Sequence, residues 1–159
     1  MNKPKAVLFD LQGTIIGDMK YSPLTGNTRL LEIAVDSQDI QVEELQRVAQ
    51  AIDEELKPLH ESSLIEFTVQ QFNRLLYDRF NITFPISPDL VEMEFWKAAV
   101  QFTPEPGIPE TLQTLHSYGI RMGVVSNSSF SGAVLSSELQ KHDLLKAFEF
   151  VLSSADYGI

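Results

Sequence analysis

Hydrophobic and polar positions follow two rhythms along this chain. The first is a short continuous apolar run. Lys5-Ala6-Val7-Leu8-Phe9 leads into Asp10-Leu11-Gln12-Gly13-Thr14-Ile15-Ile16, Ile120-Arg121-Met122-Gly123-Val124-Val125 leads into Ser126-Asn127-Ser128-Ser129, and Phe148-Glu149-Phe150-Val151-Leu152 leads into the last residues. Runs of this kind suit strands buried on both faces of a parallel sheet. The second rhythm has helical spacing and fills most of the chain between the first two runs.

Asn27 is placed to cap a short helix over 28–35 carrying Leu30, Leu31 and Ala34, after a loop over 18–26. Val42, Leu45, Val48, Ala49, Ile52 and Leu56 form one stripe of a helix that Pro58 is expected to stop near Lys57. Ile65, Val69, Phe72, Leu76 and Phe80 form another stripe, with Ser62 or Ser63 as cap. Ser87-Pro88 reads as N-cap and first residue of a helix with Leu90, Met93, Trp96 and Val100 inward. Residues 28–102 therefore read as almost wholly helical, and Phe95, Trp96 and Phe102 as core of that region. Thr103-Pro104-Glu105-Pro106-Gly107 reads as a linker. Beyond it, Pro109 opens a helix with Leu112 and Leu115 that Gly119 closes, and a further helix over 131–141 turns Val134, Leu135 and Leu139 inward. With 17–106 set aside, the order is strand, helix, strand, helix, strand. That order predicts an α/β fold, a Rossmann-like doubly wound parallel sheet with an inserted α-helical domain. The expected division is 1–16 with 107–159 as the core, and 17–106 as the insertion.

Charge narrows the range of partners. The 159 residues carry a formal net charge of −10, of which 17–106 holds 7 Lys/Arg against 16 Asp/Glu, or −9. An acidic surface repels phosphate backbones and argues against nucleic-acid binding. It also means that a phosphorylated substrate needs a divalent cation or local basic groups. No apolar run approaches the roughly 20 residues of a membrane span. The absence of cysteine and of a recognisable signal segment fits a cytoplasmic protein.

Chemistry concentrates where strands end. Ligands of open α/β sheets bind at the carboxyl ends of the strands, and there the chain places Asp10 after the first strand and Ser126-Asn127 after the second. A carboxylate can attack phosphorus to form an acyl phosphate. A serine hydroxyl and the backbone N–H groups of Leu11–Gly13 can donate to the transferring oxygens, with Gly13 allowing the tight turn. Taken singly, Asp10 and Ser126 read as caps of a turn and a helix; together, after two buried strands, they read as a site. His60, His116 and His142 show no ligand spacing and read as surface or helix-end residues. Lys20 and Tyr21, just after the first turn, could flank a pocket. Asp156 reads as an ordinary solvent-exposed loop residue.

Asp10-Leu11-Gln12-Gly13-Thr14 resembles the first motif of the haloacid dehalogenase-like superfamily, and Val124-Val125-Ser126-Asn127 resembles its second. The helical insertion looks like that family's C1-type cap. The resemblance implies that Asp10 is the nucleophile and a Mg2+ ligand, and that Gln12 lends its backbone carbonyl to the metal. It also implies that Leu11, Gly13, Ser126 and Asn127 contact the phosphoryl group. The expected activity is hydrolysis of a small phosphorylated metabolite through a phospho-aspartyl intermediate.

Two departures qualify that expectation. Family phosphatases carry a second Asp, the general acid/base, where this chain has Gln12. An amide can orient a water but cannot supply a proton, and a general acid/base contributes about 10²–10⁴-fold. The Lys of the third motif and the acidic fourth motif do not occur after the third strand, so the sequence reads as a shortened form with impaired activity. Lys141 and Lys146 precede that strand and are poor substitutes. With fewer strands, the first would lie at an apolar edge open to self-association or to a C-terminal fragment. The alternatives are a catalytically silent ligand- or partner-binding protein, and phosphonatase- or dehalogenase-like chemistry.

Overall fold

The computed structural model describes residues 4–35, 37, 39–63 and 67–158. The chain divides into two compact units, one of Met1–Met19 with Phe102–Tyr157 and the other built on Lys20–Gln101. The divisions fall within two strands, β2 (Ile16–Tyr21) and β3 (Val100–Pro104).

The first unit holds a three-stranded sheet in the order β1-β4-β5, formed by Ala6–Phe9, Arg121–Ser126 and Val151–Ser153. Both pairings are parallel. Ala6 to Phe9 lie beside Arg121 to Val124, and Val124 to Ser126 lie beside Val151 to Ser153. The crossovers are helical: α5 (Ile108–Ser117) precedes β4 and α6 (Gly132–Lys141) follows it. Pro109 lies in the first turn of α5, and Gly119 at φ 70° follows its C-cap Tyr118. The helix end therefore forms as the sequence predicts.

Burial on both faces fails for both strands. In β4, Met122 and Val124 are buried on one face and Gly123 lies under the Phe150 ring on the other, but Val125 is 45% exposed, and β1 is an edge strand that leaves Leu8 64% exposed. One side of the sheet is packed, with α6 against β5. The other carries the exposed Leu8, Val125 and Phe150. The third strand is shorter than expected, because Leu145–Ala147 forms a 3-10 turn ahead of it. Phe102 is corrected as well: it belongs to this unit, buried with its ring centroid 5.1 Å from that of His142.

Strands β2 and β3 pair with each other; β2 replaces the start of the loop expected over 18–26, and β3 replaces the end of the helical stretch expected over 28–102. Val100-Gln101-Phe102-Thr103 alternates buried and exposed residues, the period-2 pattern of a half-buried strand. A helical stripe continued from residues 88–99 overruns that signal.

Among the described residues, the second unit contains four helices. Helix α1 (Pro23–Ile33) begins earlier than expected, because Ser22 is the N-cap: its Oγ accepts from the Thr25 N–H at 3.3 Å, and Pro23 takes the first turn. Asn27 is instead a buried helical residue. Its Nδ2 donates to Gln46 Oε1, and its Oδ1 accepts from the Tyr77 hydroxyl, both at 2.9 Å. Gly26 meets Phe95 so closely that a Cβ would stand 2.5 Å from the ring. Helix α2 (Val42–Ser63) runs through Pro58 rather than stopping before it. Proline removes one N–H and crowds the preceding turn, and here helix on both sides carries the chain across that break. Helix α3 (Val69–Asp78) is capped by Thr68 in a reciprocal box with Gln71, not by Ser62 or Ser63, which lie at the end of α2; Ile65 lies outside the described residues. Helix α4 (Pro88–Ala99) buries Val91, Phe95, Trp96 and Ala99, while Leu90 turns outward at 53% exposure.

Candidate active site

The register of β1 on β4 governs the geometry of this site. Phe9 lies beside Val124, so Asp10 and the pair Ser126-Asn127 leave adjacent parallel strands at the same carboxyl edge. Asp10 is exposed, Ser126 is buried and Asn127 is exposed.

The turn after β1 is tied by its own backbone. The Leu11 carbonyl accepts from the N–H groups of Ile15 and Ile16, each at 2.9 Å, and the Gly13 N–H donates to the Ile16 carbonyl at 2.8 Å. Leu11 is buried at 3% and anchors the turn, while Gln12, Gly13 and Thr14 are exposed. Gly13 adopts φ +72°, where a side chain would be strained. The Gly13 N–H, one of the expected donors, is engaged within the turn. Among the described residues, none of these turn bonds is accepted by the Gln12 carbonyl.

The turn after β4 is held by a segment distant in sequence. Ser153, at the end of β5 and 1% exposed, donates from Oγ to the Phe130 carbonyl at 2.6 Å. The next residue, Ser154, accepts from the Ser128 N–H at 3.0 Å, and its own hydroxyl lies 2.9 Å from Asn127 Oδ1. The Ala155 N–H donates to the Ser128 carbonyl at 3.2 Å. Asp156 accepts from the Gly132 N–H at 3.1 Å, at the start of α6, where Ser131 Oγ also accepts from Val134 N. A carboxylate there complements the positive end of the helix dipole. Asp156 is exposed, as its loop position predicts, but it is also bonded to α6, and the roles of Ser153 and Ser154 carry no local sequence signal. The available signal was the parallel arrangement itself, which brings the residues after the third strand beside those after the second.

The remaining expectations also have definite places. Lys141 pairs with Glu138 at 3.0 Å, and His142 sits at the end of α6 with Nε2 3.3 Å from the same carboxylate. Lys146 lies in the 3-10 turn. In the helical unit, Tyr21 meets Phe95 edge-on with ring centroids 6.4 Å apart. Its phenol is pushed up to about 12, first by burial and then by Asp53. Among the described residues, no group of three or more His, Cys, Asp or Glu side chains comes together as a metal cage.

The model of one family, described as haloacid dehalogenase-like hydrolase, matches residues 7–158. The chain belongs to this family. Comparison with curated proteins yields no match. Among solved structures, a haloacid dehalogenase-superfamily hydrolase from Ehrlichia chaffeensis is 22% identical with a TM-score of 0.47, over 100% of this chain and 66% of that one. L-2-haloacid dehalogenase from Xanthobacter autotrophicus, with chloropropionic acid covalently bound, is 15% identical with a TM-score of 0.46, over 99% of this chain and 59% of that one. A predicted phosphatase from Clostridium acetobutylicum is 18% identical with a TM-score of 0.44, over 99% of this chain and 64% of that one. The chain thus spans about three fifths to two thirds of the length of these structures.

Proposed function

We propose that the carboxyl edge of the β1-β4-β5 sheet is a phosphoryl site at which Asp10 is the nucleophile and Ser126 and Asn127 are donors to the phosphoryl oxygens. The supporting observation is the parallel register of Phe9 on Val124, after which the carboxylate and the Ser-Asn pair emerge side by side. An Asp10 oxygen attacks phosphorus, the bond to the leaving oxygen breaks with its electron pair, and an acyl phosphate remains on the chain. The Ser126 hydroxyl and the Asn127 amide suit the negative oxygens of that group. The substrate class is a small phosphorylated metabolite.

The oxygens present are the kind magnesium takes. The Asp10 carboxylate and the Gln12 main-chain carbonyl would hold it, with water and substrate phosphate completing a shell that Mg2+ seldom draws wholly from protein. When bound, the ion neutralises phosphoryl charge. Gln12 supplies no proton, so departure of an alkoxide and attack by water both go unassisted. Turnover is expected to be lower by about 10²–10⁴-fold than with a carboxylic acid at that position.

The test is phosphoryl transfer from acetyl phosphate in magnesium buffer, read by intact mass and peptide mapping. Acetate is a good leaving group that needs no acid. One added phosphoryl group on Asp10, absent in Asp10→Asn, is the expected result; its absence from the unsubstituted chain overturns the nucleophile assignment. Steady hydrolysis of a generic phosphomonoester, abolished by Asp10→Asn, would overturn the expectation of slow turnover. Gln12 also favours a second reading, in which the chain binds a phosphorylated ligand or partner at the same edge and leaves Asp10 unmodified. Displacement at carbon is the remaining alternative. A halide leaves without a proton, so Gln12 costs that step nothing: an Asp10 oxygen bonds to the carbon as the carbon–halogen bond breaks, halide departs, and the halogen-free ester left on Asp10 would identify the reaction by mass.

A further inference from the structure

We infer that Ser154 is a positioning residue that sets which atom of Asn127 faces the ligand edge. The inference rests on the phosphoryl reading above and concerns how its β4 donors are aimed. An asparagine side chain offers an acceptor on one side and two donors on the other. Turned one way, Asn127 would present Nδ2 to a phosphoryl oxygen; turned the other way, it would present an oxygen that repels it.

The bonds at Ser154 decide between the two. Its Oγ accepts from the Ser128 N–H at 3.0 Å, which fixes the position of the oxygen. It has a single proton to give and two acceptors in reach, Asn127 Oδ1 at 2.9 Å and the Ser128 carbonyl at 3.2 Å. The Ser128 carbonyl already receives the Ala155 N–H and lies 3.2 Å from Ser153 Oγ. Asn127 Oδ1 is therefore the nearer and less contested acceptor. A hydroxyl held by a backbone donor, with its proton on Oδ1, leaves the Nδ2 pair as what Asn127 offers outward. The segment carrying Ser154 is itself clamped on both sides, by Ser153 on Phe130 and by Asp156 on Gly132. The aim of the side chain is thus set by the chain after β5 and not by the β4 turn.

The experiment uses the full 159-residue chain and its Ser154→Ala and Ser154→Thr variants, with inorganic phosphate in magnesium buffer as the probe. Two quantities are read by NMR: the order of the Asn127 Nδ2 group in the absence of phosphate, and the phosphate affinity from shifts at Asp10 and Asn127. An ordered Nδ2 group is expected in the unsubstituted chain and in Ser154→Thr, with loss of order in Ser154→Ala. Phosphate binding is expected to weaken by about three- to tenfold in Ser154→Ala, the scale of one net hydrogen bond, and to recover in Ser154→Thr. An Nδ2 group equally ordered in all three overturns the positioning role. Unchanged affinity despite a disordered Nδ2 overturns its consequence for the ligand. Phosphate shifts absent from the unsubstituted chain overturn the phosphoryl reading, and the inference with it. That failure stays distinct from the first because the amide order is measured without ligand.

Discussion

The two turns that leave the sheet at its carboxyl edge are built on opposite principles. The turn after β1 is closed mainly within itself: the Leu11 carbonyl collects the N–H groups of Thr14, Ile15 and Ile16, Gly13 bonds back to Ile16, buried Leu11 pins it from below, and the Glu105 N–H adds one distant bond, to the Ile15 carbonyl. The turn after β4 is held from outside, by Ser153, Ser154, Ala155 and Asp156, which arrive only after another helix and strand have formed. A carboxylate nucleophile needs a fixed backbone position, which local bonds supply. Donors to a ligand must instead be aimed, and here the aim comes from a neighbouring strand's exit. The β1 turn is expected to form with its own strand, and the β4 turn to be only as ordered as the end of β5.

The strongest way to break this contrast is to remove the anchor of the local turn. Leu11→Ala deletes a side chain that is 3% exposed and is expected to cost about 2–5 kcal/mol, as buried leucine truncations do. Denaturant unfolding gives the total, and amide exchange gives its location. Protection should fall first over 12–16 and remain over 126–132. Equal loss in both turns would mean that they are one structure.

The reverse experiment is Ser153→Ala. It leaves the Phe130 carbonyl without its 2.6 Å donor in a buried setting, an omission expected to cost about 1–3 kcal/mol. Exchange should quicken over 128–132 and leave 10–16 unchanged. If the β1 turn loosens as well, its bonds do not suffice to hold it.

The same contrast explains what was legible in the sequence. The first two apolar runs, the crossover helices, Pro109 and Gly119 all rest on neighbours within a few residues, and the structure forms those elements where the pattern predicts them. Strand β3 was legible too, in Val100-Gln101-Phe102-Thr103, but a helical stripe extended one step too far covered it. Ser22-Pro23 opens α1 with the same dipeptide that opens α4 at Ser87-Pro88, yet Gly26 and Asn27 made that stretch look like a loop. Gly26 is there because the Phe95 ring fills its side-chain space, and Asn27 because Gln46 and Tyr77 take up its amide. Both causes lie far along the chain. Ser154 on Asn127 and Asp156 on Gly132 belong to the same class: contacts across 27 and 24 residues that no local pattern announces.

A smaller effect sharpens the contrast at the helix start. Asp156→Ala removes the carboxylate that accepts from Gly132 N–H and should destabilise the chain by about 0.3–1 kcal/mol, the range for an exposed charge at a helix N-terminus. Gly132→Ala should act in the same direction, because its Cβ would stand 2.6 Å from Asp156 Oδ2 and 3.2 Å from the Val151 carbonyl. Exchange in the first turn of α6 should rise in both variants. Loss confined to the Gly132→Ala variant would show that crowding, and not the cap, is what matters there.

The smallest expected effect lies at the opposite edge of the sheet, where β4 begins and β5 is about to begin. Arg121 donates from Nε and Nη2 to both oxygens of Glu149, and the Glu149 N–H donates to the Met122 carbonyl at 2.8 Å. The hydrogen bonds from Arg121 hold the Glu149 carboxyl below its ordinary range. A carboxyl whose pKa is lowered on folding adds stability above its unfolded pKa and loses it as pH falls through the folded one. The melting-temperature difference between the unsubstituted chain and Glu149→Gln should therefore be small at neutral pH. It should shrink further as the solution is taken below the carboxylate range, and shrink again in high salt because the pair is exposed. Both turns at the carboxyl edge should keep their exchange protection throughout, since neither draws a bond from this pair. A difference that is constant across pH would remove the ion pair as its cause. A loosening of the β4 turn on acidification of Glu149→Gln would show that the amino edge also helps to hold it.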